Sequence, residues 1–154
     1  MAKTLSFRDA RADDVATLVK LLSDDPVGRT RESDAPQDAT TYHAAFAAID
    51  GDPNSRLIVA TQGDCVIGFL QITVIPGLSY RGTRRALIED VRVAAGHRGH
   101  GIGAALMRHA EALAHADGCG LVELFAHEDR TAAHRFYEAQ GYAASHRGFR
   151  KRLG

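Results

Sequence analysis

Apolar positions change their period along the chain, and each change marks an element. Thr4 to Arg8 alternates and predicts a first strand. Val15, Leu18, Val19 and Leu22 recur at helical spacing, so a helix is predicted from about Arg11 to Ser23. Asp24 to Asp38 is polar, rich in Pro, Gly and Asp, and reads as a mobile connector. Tyr42, Ala45, Phe46 and Ile49 mark a second helix, ended by Asp50-Gly51-Asp52-Pro53. Arg56 to Thr61 and Cys65 to Ile75 are strands around Gln62-Gly63-Asp64, a hairpin signal. Pro76 to Arg84 is a loop, and Ala86 to Val93 is a central strand. Ile102, Ala105, Leu106, Ala110 and Leu113 line one face of a third helix that stops at Asp117-Gly118. Leu121 to Ala126 reads as a buried strand, Thr131 to Gln140 as a helix capped by Gly141, and Tyr142 to Leu153 as a final strand. The order β-α-α-β-β-β-α-β-α-β predicts an α/β (α+β) fold with a mixed sheet flanked by helices.

The bulk properties narrow this little. A chain of 154 residues fits one domain, 1–154, with 45% hydrophobic and 25% charged residues. Lys plus Arg equals Asp plus Glu at 19 each, so net charge is zero, which argues against a dedicated nucleic-acid or membrane-surface binder. Cys65 and Cys119 form no CxxC pair and fit a reducing, cytoplasmic setting. No apolar run approaches a membrane span, and the first residues lack the apolar stretch of a signal peptide.

Chemistry is concentrated between Ile88 and Ala104. A β-branched strand runs into a loop holding Gly96, Arg98, Gly99, Gly101 and Gly103, and that loop opens directly into a helix. Backbone N–H groups bared at a helix N-terminus form an anion site, strengthened by the helix dipole. Arg98 adds a cation able to grip phosphate with two N–H groups. Three phosphate ligands compete. Gly99 to Ala104 satisfies GxGxxA, with Glu123 further on, as a dinucleotide site would. However, Ala94 to Arg98 separate the strand from the first glycine, and too little chain follows for a doubly wound fold. A nucleotide P-loop lacks its GxxxxGK[ST]. The spacing Arg98-x-x-Gly101-x-Gly103 suits the pyrophosphate of coenzyme A. The bland alternative is a glycine-rich connection that holds nothing.

The loop Arg98-Gly-His-Gly-Ile-Gly-Ala, the strand Leu87-Ile-Glu-Asp-Val-Arg-Val93 and the run Ala133-His-Arg-Phe-Tyr-Glu-Ala-Gln-Gly-Tyr142 together resemble the GNAT superfamily of acyl-CoA-dependent N-acetyltransferases. The resemblance covers nearly the whole chain and is weakest between Pro26 and Asp38. It implies a GNAT fold with a twisted mixed sheet of about six to seven strands, a bulged and splayed central strand, and about four helices. It implies acetyl-CoA as cofactor, with pantetheine beside Val91, Arg92 and Val93 and the pyrophosphate on Arg98, Gly99, His100, Gly101, Ile102, Gly103 and Ala104. An unpaired strand edge offers the N–H and C=O groups that the pantetheine amides require. Arg130 stands where many members carry an asparagine that contacts the cofactor.

Amide formation has two proton problems: an ammonium must lose a proton, and the departing thiolate benefits from one. The resemblance makes Tyr137 the general acid; the alternative is packing beside Phe136. Glu89 and Asp90 are carboxylates in an apolar strand, where burial is costly without a partner. Strict alternation sends them to opposite faces. The family pattern favours Glu89 as base, against a purely structural pairing with Arg92 or Arg135. Neither cysteine has the surroundings of a nucleophile, so direct transfer is preferred. His127 to His134 matches no strong zinc pattern, and no metal is expected. For the acceptor, Tyr42, Tyr80, Arg81, Arg84 and Asp90 are candidates. Arginines around Tyr80 suit an acidic group, and a merely solvated loop is the plainer explanation of them. The C-terminal run is similar to that of aminoalkylphosphonate acetyltransferases. The expected partners are a small-molecule amine and, by resemblance, a second copy in a homodimer through the C-terminal strands. The rival readings are acetylation of a peptide or lysine, and an acyl-CoA sensor without turnover.

Overall fold

A computed structural model describes residues 3–154. Residues up to Glu123 form one compact unit and those from Leu124 a second. In the first unit, β1 (Leu5–Asp9), β2 (Ser55–Gln62), β3 (Cys65–Ile75), β4 (Arg84–Val93) and β5 (Cys119–Leu124) lie in one sheet in chain order. The first three pairings are antiparallel. From β4 the chain returns to β5 through a helix, the connection that parallel neighbours require, so the sheet is mixed. The helices are α1 (Val15–Ser23), α2 (Pro26–Arg29), α3 (Ala39–Asp50), α4 (Ser79–Gly82), α5 (Ile102–Ala116) and, in the second unit, α6 (Thr131–Ala139).

The alternation in β2 and β3 decides what covers each face. Leu57, Val59 and Phe69 project to one side, where Leu18, Leu21 and Leu22 of α1 and Phe46 of α3 meet them. Ile58, Leu70, Ile72, Ala86 and Ile88 project to the other, where α5 packs, burying Leu106, Met107 and Ala110. On this second face Phe7 stacks on His109, with ring centroids 4.7 Å apart.

Three expectations need correction. Tyr142 to Leu153 forms no strand, so the sheet has five strands rather than six or seven. Its apolar residues Phe149 and Leu153 are four apart, with Lys151 on the phase between them, so no apolar face forms to fix a register. The connector from Asp24 to Asp38 is also not featureless. Asp25 caps α2, its Oδ1 accepting from the N–H of Gly28 at 2.6 Å, and Pro26 opens the helix. A 3-10 turn follows at Pro36–Asp38. The loop before β4 carries α4, whose Tyr80 and Arg81 have φ of 51° and 59°, making it a left-handed turn.

β4 is not regular. Gln71 of β3 faces Glu89, but Phe69 faces Arg92, so the single residue between them on β3 opposes both Asp90 and Val91. This is a β-bulge. Asp90 adopts φ 54° to make it. Aspartate tolerates this left-handed backbone better than most side chains do. Strict alternation along β4 therefore fails at this point. Residues opposite Gln71 and Phe69 share their face, so Glu89 and Arg92 both project toward α1.

Two outcomes are expected. Asp90→Val, with a β-branched side chain in the left-handed region, loses about 1–2 kcal/mol of stability, whereas Asp90→Gly loses none, as read by urea unfolding. Equal losses in both would mean that the Asp90 side chain, not its backbone angle, holds the bulge. The second concerns pH. Burial, with Arg56 adding and Asp9 opposing, holds the His109 pKa below its usual value. The unfolded chain then takes up a proton at about pH 6.5, where the folded chain does not. The His109 contribution is complete above that pH and is lost as the pH falls below it. The urea midpoint is expected to drop between pH 7.5 and 5.5, and His109→Phe to flatten that fall. An unchanged slope in the variant would place the dependence elsewhere.

Candidate functional site

Three pieces of the first unit converge around the end of β4. The first is the bulge, which takes Asp90 and Val91 out of the register with β3 and puts Glu89 and Arg92 on the α1 face. The Arg92 side chain is only 12% exposed, and its Nε lies 3.8 Å from Oδ2 of Asp25. Its Nη1 donates to the carbonyl of Val91 at 3.0 Å.

The second piece is the glycine loop. After Val93 the chain makes a 3-10 turn at Ala95–His97, and Gly101 caps α5. Gly99 and Gly101 both have φ of 77°, and a Cβ on either would meet nothing within 4 Å. The backbone is thus turned by residues that leave open space above it, and the first N–H groups of α5 have no acceptor within the helix. Arg98 braces the loop: its Nε donates to the carbonyl of Val93 at 3.0 Å. Its Nη2 meets Oδ2 of Asp24 at 3.1 Å. His100 Nδ1 lies 2.9 Å from the carbonyl of Arg98, and His97 Nδ1 is buried without a hydrogen-bond partner among the described residues. Open space over bared amides, a nearby arginine and an orphaned imidazole nitrogen fit the phosphates of coenzyme A.

The third piece is the segment after α1. Asp24 reaches the loop and Asp25 reaches β4, while Tyr42 of α3 holds the segment's far end. The Tyr42 hydroxyl donates to Oε2 of Glu32 at 2.8 Å and accepts from the N–H of Ser33 at 3.0 Å. Burial and the Glu32 carboxylate push its pKa up. Gly28 admits no side chain, since a Cβ there would lie 1.8 Å from the carbonyl oxygen of Leu22. Sequence reasoning passed over Asp24 and Asp25; the helix-start signature Asp25-Pro26 was the available signal.

The other candidates lie apart from these pieces or in the second unit. Arg84 Nη1 donates to the carbonyl of Asp117, the C-cap of α5, and Arg85 pairs with Glu123 at 2.8 Å. Tyr80 and Arg81 sit on the exposed left-handed turn. A hollow of about 260 Å³ at the end of α3 is lined by Phe46, Ile49 and Leu57 under Asp9, Asp50 and Asp52, and none of the predicted site residues lines it. In the second unit, Arg130 is the N-cap of α6. Tyr137 lies between Phe136 and Tyr142, at ring-centroid distances of 5.2 and 6.1 Å, both edge to face. The N–H of Tyr142 donates to the carbonyl of Tyr137 at 3.1 Å. Among the described residues no three His, Cys, Asp or Glu side chains gather as a metal site, and no helix is long and apolar enough to cross a membrane.

The chain is similar to known proteins. Streptothricin acetyltransferase from Streptomyces lavendulae is 37% identical over 95 residues, which is 61% of this chain but 47% of that protein. The chain thus spans about half the length of that relative. Aminoalkylphosphonate N-acetyltransferase from Salmonella typhimurium is 33% identical over 116 residues, 75% of either chain. The crystal structure of a transcriptional regulator from Bacillus halodurans superposes with a TM-score of 0.94 at 39% identity, covering 97% of this chain and all of that one. The family model described as Acetyltransferase (GNAT) family matches residues 15–142, and the chain belongs to that family.

Proposed function

We propose that the chain is an N-acetyltransferase that passes the acetyl group of acetyl-CoA directly to a primary amine of a small molecule in a ternary complex. The observation that carries this reading is the bulge of β4 running into the glycine loop at the start of α5. The loop amides and Arg98 bind the phosphates, and the backbone of Val91, Arg92 and Val93 bonds the pantetheine amides. Bound there, acetyl-CoA supplies an acyl group already activated as a thioester. Glu89 takes the proton of the acceptor ammonium, directly or through a water, so that nitrogen can attack the acyl carbon. As the new C–N bond forms and the C–S bond breaks, Tyr137 gives its hydroxyl proton to the departing sulfur. Arg130, capping α6, belongs to the cofactor side of this reading.

The acceptor carries an acidic group, a reading supported by the relative that acts on aminoalkylphosphonates. Arg81 and Tyr80 on the left-handed turn, with Arg84 at the start of β4, receive that group. Tyr42 shapes the acceptor side through its bonds to Glu32 and Ser33. Asp90 serves the same side by making the bulge. The protein works in the cytoplasm. A second reading, a sensor that binds acyl-CoA without turnover, is favoured by the regulator whose fold matches along the whole chain.

The test is acetyl-CoA-dependent thiol release across aminoalkylphosphonates, amino acids, polyamines, aminoglycosides and a lysine peptide. Turnover of an acidic class is expected, with Glu89→Gln and Tyr137→Phe each lowering kcat about a hundredfold or more. Arg81→Ala is expected to raise KM for that class alone. Turnover of the lysine peptide only would make the acceptor a protein. Silence across the panel with coenzyme A still bound would favour the sensor.

The reading includes a homodimer formed through the C-terminal residues. Residues after Tyr142 carry no strand, and Phe149 and Leu153 are 89% and 90% exposed. Two large apolar side chains left open on one short segment offer a surface for a second copy. Light scattering is expected to give twice the chain mass, and removal of residues 143–154 to give the monomer. A monomeric intact chain would overturn the dimer.

A further inference from the structure

Arg98 is already engaged. Its Nη2 lies 3.1 Å from the Asp24 carboxylate and its Nε on the Val93 carbonyl, while both members of the ion pair stay half open to solvent, at 50% and 39% side-chain exposure. The neighbouring pair differs: Arg92 is 12% exposed and Asp25 23%, and Asp25 also caps α2. The Asp24 side chain has no such second duty among the described residues, and it sits at the C-cap of α1, where it meets Arg98 of the glycine loop. A phosphate ester arriving over Gly99 and Gly101 offers the same guanidinium a stronger acceptor with two or more negative charges.

We propose that Asp24 is a built-in competitor for the phosphates of the cofactor. It holds Arg98 beside the loop when no anion is present and gives it up when coenzyme A binds. The proposal rests on the reading that residues 98–104 hold those phosphates. The anion gains Arg98 only by breaking an ion pair, so the pair subtracts from cofactor affinity. Being exposed, it subtracts modestly. Its opening also unties the loop from the segment after α1, whose next residue, Asp25, faces Arg92 on the face of Glu89.

The experiment is calorimetric titration of coenzyme A into the intact chain, into Asp24→Asn, Asp24→Ala and Arg98→Ala, and into the Asp24→Asn/Arg98→Ala double variant. Asp24→Asn and Asp24→Ala are each expected to tighten binding about two- to fivefold. Arg98→Ala is expected to weaken it. In the Arg98→Ala background the effect of Asp24→Asn is expected to vanish, because no guanidinium remains to be released. If Asp24→Asn tightens binding equally in both backgrounds, the carboxylate acts only as a repelling charge and the competition is overturned. If both Asp24 variants weaken binding, Asp24 orients Arg98 for the ligand instead, and the proposal also fails. If Arg98→Ala changes nothing, the assignment of the loop to the phosphates fails first. Thermal unfolding of each variant separates these outcomes from misfolding.

Discussion

One extra residue in β4 organises the rest. With Gln71 opposite Glu89 and Phe69 opposite Arg92, two residues of β4 answer one of β3. A regular strand would have sent Glu89 and Arg92, three apart, to opposite faces. The bulge puts both on the face covered by α1. It also removes Asp90 and Val91 from the ladder with β3, in the middle of an otherwise paired sheet. There the carbonyl of Val91 accepts from Nη1 of Arg92 at 3.0 Å, within the bulged strand itself. The left-handed Asp90 is the local cost of the device, and such backbone angles concentrate at functional sites.

The core is arranged so that this device can be rigid. α5 buries Leu106, Met107 and Ala110 against the face of Ile72 and Ile88, directly under the bulged strand. The same helix begins at Gly101, so the packing that fixes β4 also fixes where the bared amides of the glycine loop point. A site built on the end of a packed strand and the start of a packed helix needs little reorganisation to receive an anion. The opposite face is less complete. α3 has no fully buried residue, and its Tyr42 spends its hydroxyl on Glu32 and Ser33, holding the polar segment between α1 and α3 by hydrogen bonds rather than apolar packing.

The order of strands and longer helices was readable because each carries its period in the chain: alternation in β2 and β3, apolar steps of three and four in α1 and α5. The glycine loop was readable for a chemical reason, since so many glycines around an arginine at a helix start have few other uses. The bulge was not. Glu89 and Asp90 look like one inward and one outward carboxylate, and only pairing with β3 shows that Asp90 and Val91 together answer a single residue, so that the alternation breaks after Asp90. Asp24 and Asp25 were hidden because their partners lie more than sixty residues away. The arginines grouped around Tyr80 are neighbours in sequence but engage different partners, for one Arg84 nitrogen meets the end of α5 and Arg85 pairs with Glu123. The last segment, Tyr142 to Leu153, forms no strand, and its own residues do not alternate.

Two adjacent aspartates meet two arginines here, and burial separates their roles. Arg92 and Asp25 are largely withdrawn from water, and each has a further bond, to the Val91 carbonyl and the Gly28 N–H, that fixes it in place. That pair ties the start of α2 to the α1 face of β4. Arg98 and Asp24 are half solvated, and an exposed pair of this kind contributes about 0–1 kcal/mol. Phosphate oxygens backed by a helix N-terminus offer more than that. A single peptide bond therefore separates a contact that holds the fold from one weak enough to yield to a ligand, and the difference lies in solvent access rather than in residue type.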